Sequence, residues 1–178
     1  YYKVVKGVTS IVEKSALGIT TSVGDFSTGL SEPSFTERLV DDSYSLPSGK
    51  RSRYDNTYKE ATVSCNKDGH TVQFIFRVYD DGVAYRYAIL GSGDISVYAE
   101  NSECLPVRQE KVYSQQYTKN NQALYEENDT EFMACELYTP LPLLVHTGSD
   151  YLLLTEAMVN GNYCGSSLFV NEETKAYG

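Results

Sequence analysis

The sequence predicts an all-β fold, a β-sandwich with little or no helix, and three observations lead to that prediction. Several segments alternate apolar with polar or mixed residues at period two, as half-buried strands do. Clusters of Gly, Asp, Asn and Pro separate these segments at short intervals. No stretch sustains helical periodicity over three turns. Many short strands with frequent turns are typical of a sandwich, and 178 residues suit one domain over residues 1–178.

The clearest strands form a predicted meander in residues 58–90. Residues 71–79 (TVQFIFRVY) place apolar side chains on one face, and residues 83–90 (VAYRYAIL) repeat the pattern. Asp-Gly lies in both connections, at 68–69 and 81–82, and these two residue types tolerate the positive φ that tight hairpin turns need. We therefore expect three consecutive antiparallel strands at the centre of a sheet.

The chain before the meander is predicted to be mostly extended. Residues 1–10 predict a strand in which Gly7 marks a weak point or a bulge, and residues 20–23 predict another. Glycines flank Phe26 and Leu30, which favours a loop that buries the aromatic ring of Phe26 beneath it. Residues 35–44 fit helical spacing as well as a strand, and both alternatives stay open here.

A polar loop is predicted over residues 45–60, and it contains a basic cluster in an otherwise acidic chain. An anion or interface contact is one interpretation of this cluster, and a solvated loop is the ordinary one. The cluster consists of Lys50, Arg51 and Arg53.

Short strands are predicted to continue after the meander, at residues 95–100, 104–107, 111–117, 131–138, 143–146, 151–156 and 167–170. Residues 109–128 are polar and rich in Tyr, so we expect a long excursion there with at most one strand. Pro140 and Pro142 restrict their surroundings to edge or extended backbone. Turns are predicted at 147–150, between two of the strands, and at 160–162.

Charge and hydropathy argue against two classes of partner. The net charge is −9, without a basic run of the kind that nucleic acids or anionic membranes attract. No apolar run approaches the roughly 20 residues that a membrane helix needs. The opening YYKVVKG lacks the apolar core of a signal peptide, and we expect the sequence to be a fragment of a longer protein.

The four cysteines are Cys65, Cys104, Cys135 and Cys164, too far apart for a Cys-x-x-Cys metal or redox motif. We expect mostly free thiols, with Cys65 packed as a small hydrophobe in its strand. Arg77 and Arg86 lie mid-strand, and we expect Arg86, between two tyrosines, to be buried. A charge paired with a carboxylate such as Glu60 or Glu100 is the ordinary interpretation, and a ligand role is the alternative.

Self-contained catalysis is not predicted. Hydrolysis by paired carboxylates needs two of them on either side of the bond that is cleaved, and the acidic residues form no recognisable pair. Residues 126–129 are predicted to be a solvated loop, and Asp80-Asp81 is explained as turn chemistry. The two histidines, His70 and His146, each lie at the edge of a predicted turn and are expected to be surface residues.

Two segments resemble the N-terminal domain of glycoside hydrolase family 97, which contains α-glucosidases and α-galactosidases. The first is FRVYDDGVAYRY, at residues 76–87. The second resembles the family's G-x-x-Y-x-x-[IL]-[ST]-E-A stretch with its following Tyr-Gly turn. It is matched by Gly148, Tyr151, Leu154, Thr155, Glu156, Ala157, Tyr163 and Gly165. The Leu17-Gly18-Ile19 segment and the basic loop precede these in the same order, with Ala16 where Pro is usual.

The resemblance implies an N-terminal β-super-sandwich of galactose-mutarotase type. It packs on a catalytic (β/α)8 barrel that follows in the same chain and acts on an α-linked oligosaccharide. In calcium-dependent inverting members one Glu of this domain joins the barrel's carboxylates around the ion, and its position here is Glu156. No catalytic residue and no cofactor are expected in residues 1–178 alone. Family members are largely from Bacteroidetes, which implies a periplasmic or secreted location.

Two other classes of function stay open. Tyr occurs 16 times and Trp not at all. Because Tyr rings stack on sugars, a carbohydrate-binding module is one alternative. A structural or adhesive sandwich without a ligand is the other. Without the family resemblance, a lone Glu at a strand end such as Glu156 is usually an exposed residue with no role.

Overall fold

Every described element of the chain is a strand in a computed structural model, and the prediction of an all-β fold is confirmed. The structure describes residues 1–91, 93–120, 122–129, 138–160 and 165–178. Since these residues form no helix, none of them belongs to a helix that could cross a membrane. They form two compact units, the first from residues 1–17 and 101–178 and the second from residues 18–100. The single domain over residues 1–178 stays a prediction.

Seventeen strands lie in the described residues. In chain order they are β1 (Tyr2–Lys6), β2 (Thr9–Ser15), β3 (Ile19–Thr21), β4 (Gly24–Asp25), β5 (Ser31–Asp41), β6 (Tyr44–Ser45), β7 (Arg53–Tyr54), β8 (Thr57–Lys67), β9 (His70–Val78), β10 (Val83–Leu90), β11 (Val97–Glu100), β12 (Lys111–Gln115), β13 (Tyr125–Asn128), β14 (Thr139–Pro140), β15 (Leu143–His146), β16 (Tyr151–Leu154) and β17 (Ser167–Leu168). The first unit contains the sheets β1-β2, β13-β12-β15-β16 and β14-β17. The second contains β10-β9-β8-β5, β11-β3-β4 and β6-β7.

The predicted meander is confirmed as β8, β9 and β10, which pair antiparallel in sequence order. The β8–β9 turn uses positive φ at both Asp68 (50°) and Gly69 (80°), as the Asp-Gly pair predicts. The hairpin expected at Asp81-Gly82 is also confirmed, but neither of these residues has positive φ. That connection is a four-residue loop, closed where the Tyr79 N–H donates to the Gly82 carbonyl at 2.8 Å. Loops of this length are built on turns with negative φ.

The segment before the meander contains more hairpins than predicted. The strand predicted over residues 1–10 is wrong in extent, because Gly7 (φ 62°) lies in a turn between β1 and β2. The helical alternative for residues 35–44 is also wrong. Strand β5 covers most of them and pairs with β8 along most of its length, which satisfies its backbone hydrogen-bonding groups on that side. The predicted polar loop contains the hairpin β6–β7, whose Tyr44 and Tyr54 rings stack at 5.2 Å.

Phe26 follows β4 directly and is one of the most buried side chains of the second unit. The Phe26 side chain is 1% exposed, as the flanking glycines predict. Nearby, Gly18 lies so close to Ser27 that an added Cβ would overlap the Ser27 Oγ. Gly18, the middle residue of the Leu-Gly-Ile segment, is therefore glycine because any side chain would collide with Ser27.

The first unit is organised around a small core beneath the sheet β13-β12-β15-β16. Val112, Leu143 and Val145 are fully buried there with Tyr177, and each contributes roughly 1.5–3 kcal/mol by leaving water. The hairpin of β15 and β16 is confirmed. Strand β13 pairs with β12, so the expectation of at most one strand in residues 109–128 is wrong.

Other predictions for the first unit have mixed outcomes. The short strand expected at 104–107 is reduced to isolated bridges at Cys104 and Pro106. The last strand is two residues long, at β17. The strand predicted at 131–138 and the turn at 160–162 fall largely outside the described residues.

Candidate functional site

Glu156 lies two residues beyond the end of β16, in the first unit. Its side chain is half-buried, and its Oε2 accepts a hydrogen bond of 2.9 Å from the backbone N–H of Ser166. The Thr155 hydroxyl donates to the Glu156 carbonyl at 3.4 Å. The carboxylate is therefore held through Oε2, and its second oxygen has no hydrogen bond within the described part of the chain.

A calcium ion takes six to eight oxygen ligands, and carboxylates are among its preferred donors. Glu156 has the properties of one such ligand, because its carboxylate is a hard oxygen donor and the hydrogen bond from Ser166 already holds its orientation. No group of three or more His, Cys, Asp or Glu side chains suited to a metal occurs within the described residues. Glu156 can thus supply one ligand of a shared site, with the others contributed from outside these residues.

The turn before β16 explains why the second family-like segment begins with glycine. Gly148 has φ of 92°, and an added Cβ would lie 3.2 Å from Oε1 of Glu110 and 3.3 Å from a guanidinium nitrogen of Arg108. The Thr147 N–H closes the turn on the Asp150 carbonyl at 2.9 Å. Both the backbone conformation and the close approach therefore favour glycine at this position.

A second candidate site is the outer face of the sheet β13-β12-β15-β16, which we call the tyrosine face. It consists of Tyr113, His146 and Tyr151. Tyr151 is 60% exposed, and its ring lies 4.7 Å from the ring of His146 and 6.5 Å from that of Tyr113. Exposed aromatic rings of this kind can stack on the apolar face of a sugar.

Charged groups surround the tyrosine face. The Tyr113 hydroxyl donates to Glu127 at 3.0 Å, and Lys111 pairs with the same carboxylate at 2.9 Å. Glu110 lies 3.5 Å from Nδ1 of His146. The hydrogen bond from Lys111 lowers the pKa of Glu127, which keeps that carboxylate ionised at neutral pH.

The sequence did not point to this face. Tyr151 and His146 meet because they are cross-strand partners in the β15–β16 hairpin, and that pairing follows from the predicted turn. Tyr113 joins them through β12, which pairs with β15 across a gap of some 30 residues. Nothing in the local pattern specifies that pairing.

A buried carboxylate lies in the second unit, and it belongs to Glu60, which is 8% exposed. Arg38 donates to its Oε1 at 2.6 Å and Arg77 to its Oε2 at 3.0 Å. The hydrogen bond from Arg38, followed by that from Arg77, lowers the pKa of Glu60 against the raising effect of burial. The expectation that Arg86 is buried is wrong, because its side chain is exposed. The register opposes Arg38 and Arg77 to Glu60 instead.

Hydrogen bonds and nearby cations act on several of the described carboxylates. Every described carboxylate whose pKa departs from its ordinary value has a lowered one. Residues 126–128, predicted to be a solvated loop, lie in strand β13 instead.

The remaining sequence candidates have ordinary surroundings. His70 and His146 are half-buried and lie in different units. His70 makes an edge contact with Phe26 at 6.5 Å. The side chains of Lys50, Arg51 and Arg53 are exposed, and Arg53 pairs with Asp55 at 3.1 Å. His70 and the basic residues therefore gain no structural argument for a ligand, whereas His146 belongs to the tyrosine face.

Two of the four cysteines lie in the described residues, and both are free thiols. Cys65 is 8% exposed in β8, as its strand position predicts. Burial raises the pKa of the Cys104 thiol to about 11, so this group is neutral at physiological pH. Cys135 and Cys164 lie outside the described residues.

Comparison with known families gives a match over nearly the whole chain. The family described as "Glycosyl-hydrolase 97 N-terminal" matches residues 1–177. The chain is also 30% identical over 174 residues to a Streptomyces bingchenggensis (strain BCW-1) protein named "Probable retaining alpha-galactosidase". That alignment covers 93% of this chain and 26% of the relative.

Solved structures give the same result. A crystal structure of a beta-arabinopyranosidase matches with a TM-score of 0.85 and 25% identity, over 95% of this chain and 30% of that one. A family 97 enzyme from Pseudoalteromonas sp. strain K8, in complex with acarbose, matches with a TM-score of 0.82. Its identity is 16%, over 99% of this chain and 28% of that one, which shows a shared fold. The chain thus spans between a quarter and a third of the length of these relatives.

Proposed function

The chain belongs to the glycoside hydrolase 97 N-terminal family, and from that premise we propose that it is the non-catalytic N-terminal domain of a calcium-dependent α-glycoside hydrolase. In this proposal it packs on a catalytic barrel of the same polypeptide and shapes one wall of the sugar pocket. It also contributes Glu156 as one calcium ligand. The observation that carries the proposal is the family match over residues 1–177, which includes the segment around Glu156.

The geometry of Glu156 supports a ligand role. The hydrogen bond from Ser166 fixes one carboxylate oxygen, which lowers the entropy lost when the second oxygen binds a cation. Calcium, when bound, would supply positive charge that polarises water or holds sugar hydroxyls. A carboxylate shared between two domains would also tie the sandwich to the active site.

The experiment uses the full-length gene product. Hydrolysis of a chromogenic α-glucoside and a chromogenic α-galactoside is measured over a calcium titration, with and without chelator, for wild type and Glu156→Gln. Loss of one charged ligand should raise the calcium needed for half-maximal activity tenfold or more, which corresponds to about 1.4 kcal/mol. The matched control is Glu172→Gln, an exposed glutamate of the same unit, which should behave as wild type.

Two results would contradict the proposal in different ways. If Glu156→Gln needs the same calcium as wild type, the ligand assignment fails while the domain assignment stands. If the wild-type full-length protein hydrolyses neither substrate, the proposed α-glycoside hydrolase activity is wrong. The name of the Streptomyces relative favours the α-galactoside as the better substrate. A periplasmic or secreted location belongs to the same proposal, rests on the family resemblance, and is checked by cell fractionation.

The tyrosine face favours a second function, carbohydrate binding by the domain itself. Tyr151 is exposed and backed by His146, which gives a platform on which a sugar ring could stack. Isothermal titration with oligosaccharides, in protein whose active site is blocked by an inhibitor, separates this function from catalysis. Binding that weakens at least tenfold in Tyr151→Ala would support it, and absence of binding in wild type would exclude it.

A further inference from the structure

The four-stranded sheet of the second unit has one polar and one apolar face. Because side chains alternate along each strand, the register assigns Phe35, Val63, Phe74 and Tyr87 to one row across the sheet. Leu39, Lys59, Val78 and Val83 form another row on the same face. The opposite face carries Arg38, Glu60 and Arg77, whose charges satisfy one another.

The apolar face is covered at one end and open at the other. At the covered end, Val72 is fully buried and Phe74 is 8% exposed. At the other end, Leu39 is 76% exposed, and Val78 and Val83 in its row are 45% and 39% exposed. Phe35 is 62% exposed on the edge strand β5, in the same row as Phe74. We call Leu39, Val78 and Val83 the open apolar end.

Single exposed apolar residues are ordinary, but three in one row of a sheet face, interrupted only by Lys59, are not. The open apolar end spans both edge strands, β5 and β10, so it extends across the whole width of the sheet. A covering surface would remove these side chains from water and stabilise the fold. The distribution of exposure therefore points to a surface that another part of the protein covers.

We propose that the open apolar end is the docking surface for the C-terminal continuation of the same polypeptide, an inference that rests on the proposed function. The family is an N-terminal domain, and more than two thirds of each matched relative lies outside the match. A second copy of this chain fits less well, because each copy carries a net charge of −9 and like charges repel. On this face Glu37 and Lys59 approach within 3.9 Å, so the surface is apolar with one internally neutralised ion pair.

The first experiment measures accessibility in the full-length protein. Leu39→Cys and Thr36→Cys place a thiol on opposite faces of the same strand, and both native residues are exposed in residues 1–178. If the continuation covers the open apolar end, maleimide should label Leu39→Cys at least tenfold more slowly than Thr36→Cys under native conditions. The two rates should become equal in urea. Equal native rates would overturn the inference.

A second pair of variants guards against a folding defect at position 39. Val83→Cys and Ala84→Cys test the same two faces on β10, with circular dichroism to verify folding. Protection of the thiol at Val83 and labelling of the thiol at Ala84 are expected. The converse pattern, or equal labelling, would overturn the inference.

The third experiment identifies the covering surface. A photo-reactive benzoylphenylalanine replaces Leu39 in the full-length protein, and cross-linked peptides are identified by mass spectrometry. A cross-link to a peptide that follows residue 178 in the same molecule supports the inference. A cross-link to a second copy, to residues 1–178, or to nothing overturns it. Calcium-dependent activity is measured on the same samples. The docking inference and the proposed function are therefore tested separately, and either can be contradicted while the other stands.

Discussion

At the scale of single residues, the most informative group is Glu60, a buried carboxylate between two arginines. Arg77 is the more enclosed partner, since its side chain is 37% exposed against 68% for Arg38. Arg77 also lies over the Tyr58 ring, 4.6 Å from its centroid. A buried charge with all its partners in place is expensive to disturb, because removing one charge leaves the others unpaired. Glu60 is therefore better explained as a structural group of the sheet than as a site residue.

Glu60→Gln should lower the free energy of unfolding by about 2 kcal/mol at pH 7, since hydrogen bonds to charged groups contribute roughly 1.5–3 kcal/mol. The matched control is Glu37→Gln, whose ion pair with Lys59 is exposed on both sides and should contribute less than about 0.5 kcal/mol. Urea unfolding followed by circular dichroism measures both. Equal effects of the two substitutions would contradict the structural role of Glu60.

At the scale of elements, the two Asp-Gly connections of the meander show how one dipeptide gives two turns. The β8–β9 turn has two central residues and matches strand twist through positive φ. The β9–β10 connection has four residues and closes through Tyr79 and Gly82 with negative φ. The sequence predicts both hairpins, and the number of residues left unpaired decides the conformation of each.

Gly69→Ala should lower the free energy of unfolding by about 1–2 kcal/mol, because a residue with a Cβ is strained at φ of 80°. Gly82→Ala is the control, since an added Cβ meets nothing within 4 Å at either position and the φ of Gly82 is not positive. It should be neutral, or stabilising by up to about 1 kcal/mol through the unfolded state. Thermal or urea unfolding of both variants is the measurement. A larger loss in Gly82→Ala than in Gly69→Ala would contradict the turn assignment.

At the scale of the whole molecule, acidic residues dominate the charge, yet several of them are stabilised by partners. The carboxylates with lowered pKa values lie in both units: Glu13, Asp25, Asp41, Glu60, Glu127 and Asp150. Their hydrogen bonds come from Lys, Arg, Ser, Thr and Tyr side chains and from backbone N–H groups. The chain therefore has a negative net charge, and yet its local hydrogen bonds and ion pairs depend on ionised carboxylates.

Stability should fall in acid for this reason. A carboxylate whose pKa is lower in the folded state contributes stability above its unfolded pKa and loses that contribution as pH falls through its folded pKa. Ordinary values are 3.8 for Asp and 4.5 for Glu, so the urea midpoint should begin to fall near pH 4.5 and continue downward. Salt at 1 M should reduce the loss, because most of the pairs are exposed. A midpoint that is unchanged or higher at pH 3 would contradict this expectation.

The local features of this protein can be predicted from its sequence. Period-two alternation gave the meander and the β15–β16 hairpin, because side-chain direction along a strand depends only on sequence position. Flanking glycines indicated the buried Phe26, and the family-like segments gave the family and Glu156 as a candidate ligand. These features are local because turn and strand preferences act over a few residues.

Tertiary structure alone decided which distant strands meet. The pairings of β5 with β8 and of β12 with β15 placed Arg38 on Glu60 and Tyr113 beside Tyr151. They also left one end of an apolar sheet face uncovered. Alternation specifies which face a side chain occupies, but it does not specify the neighbouring strand, because that choice depends on loop closure and on packing across the whole unit. For this reason the strands were predictable from the sequence, whereas the tyrosine face and the open apolar end were not.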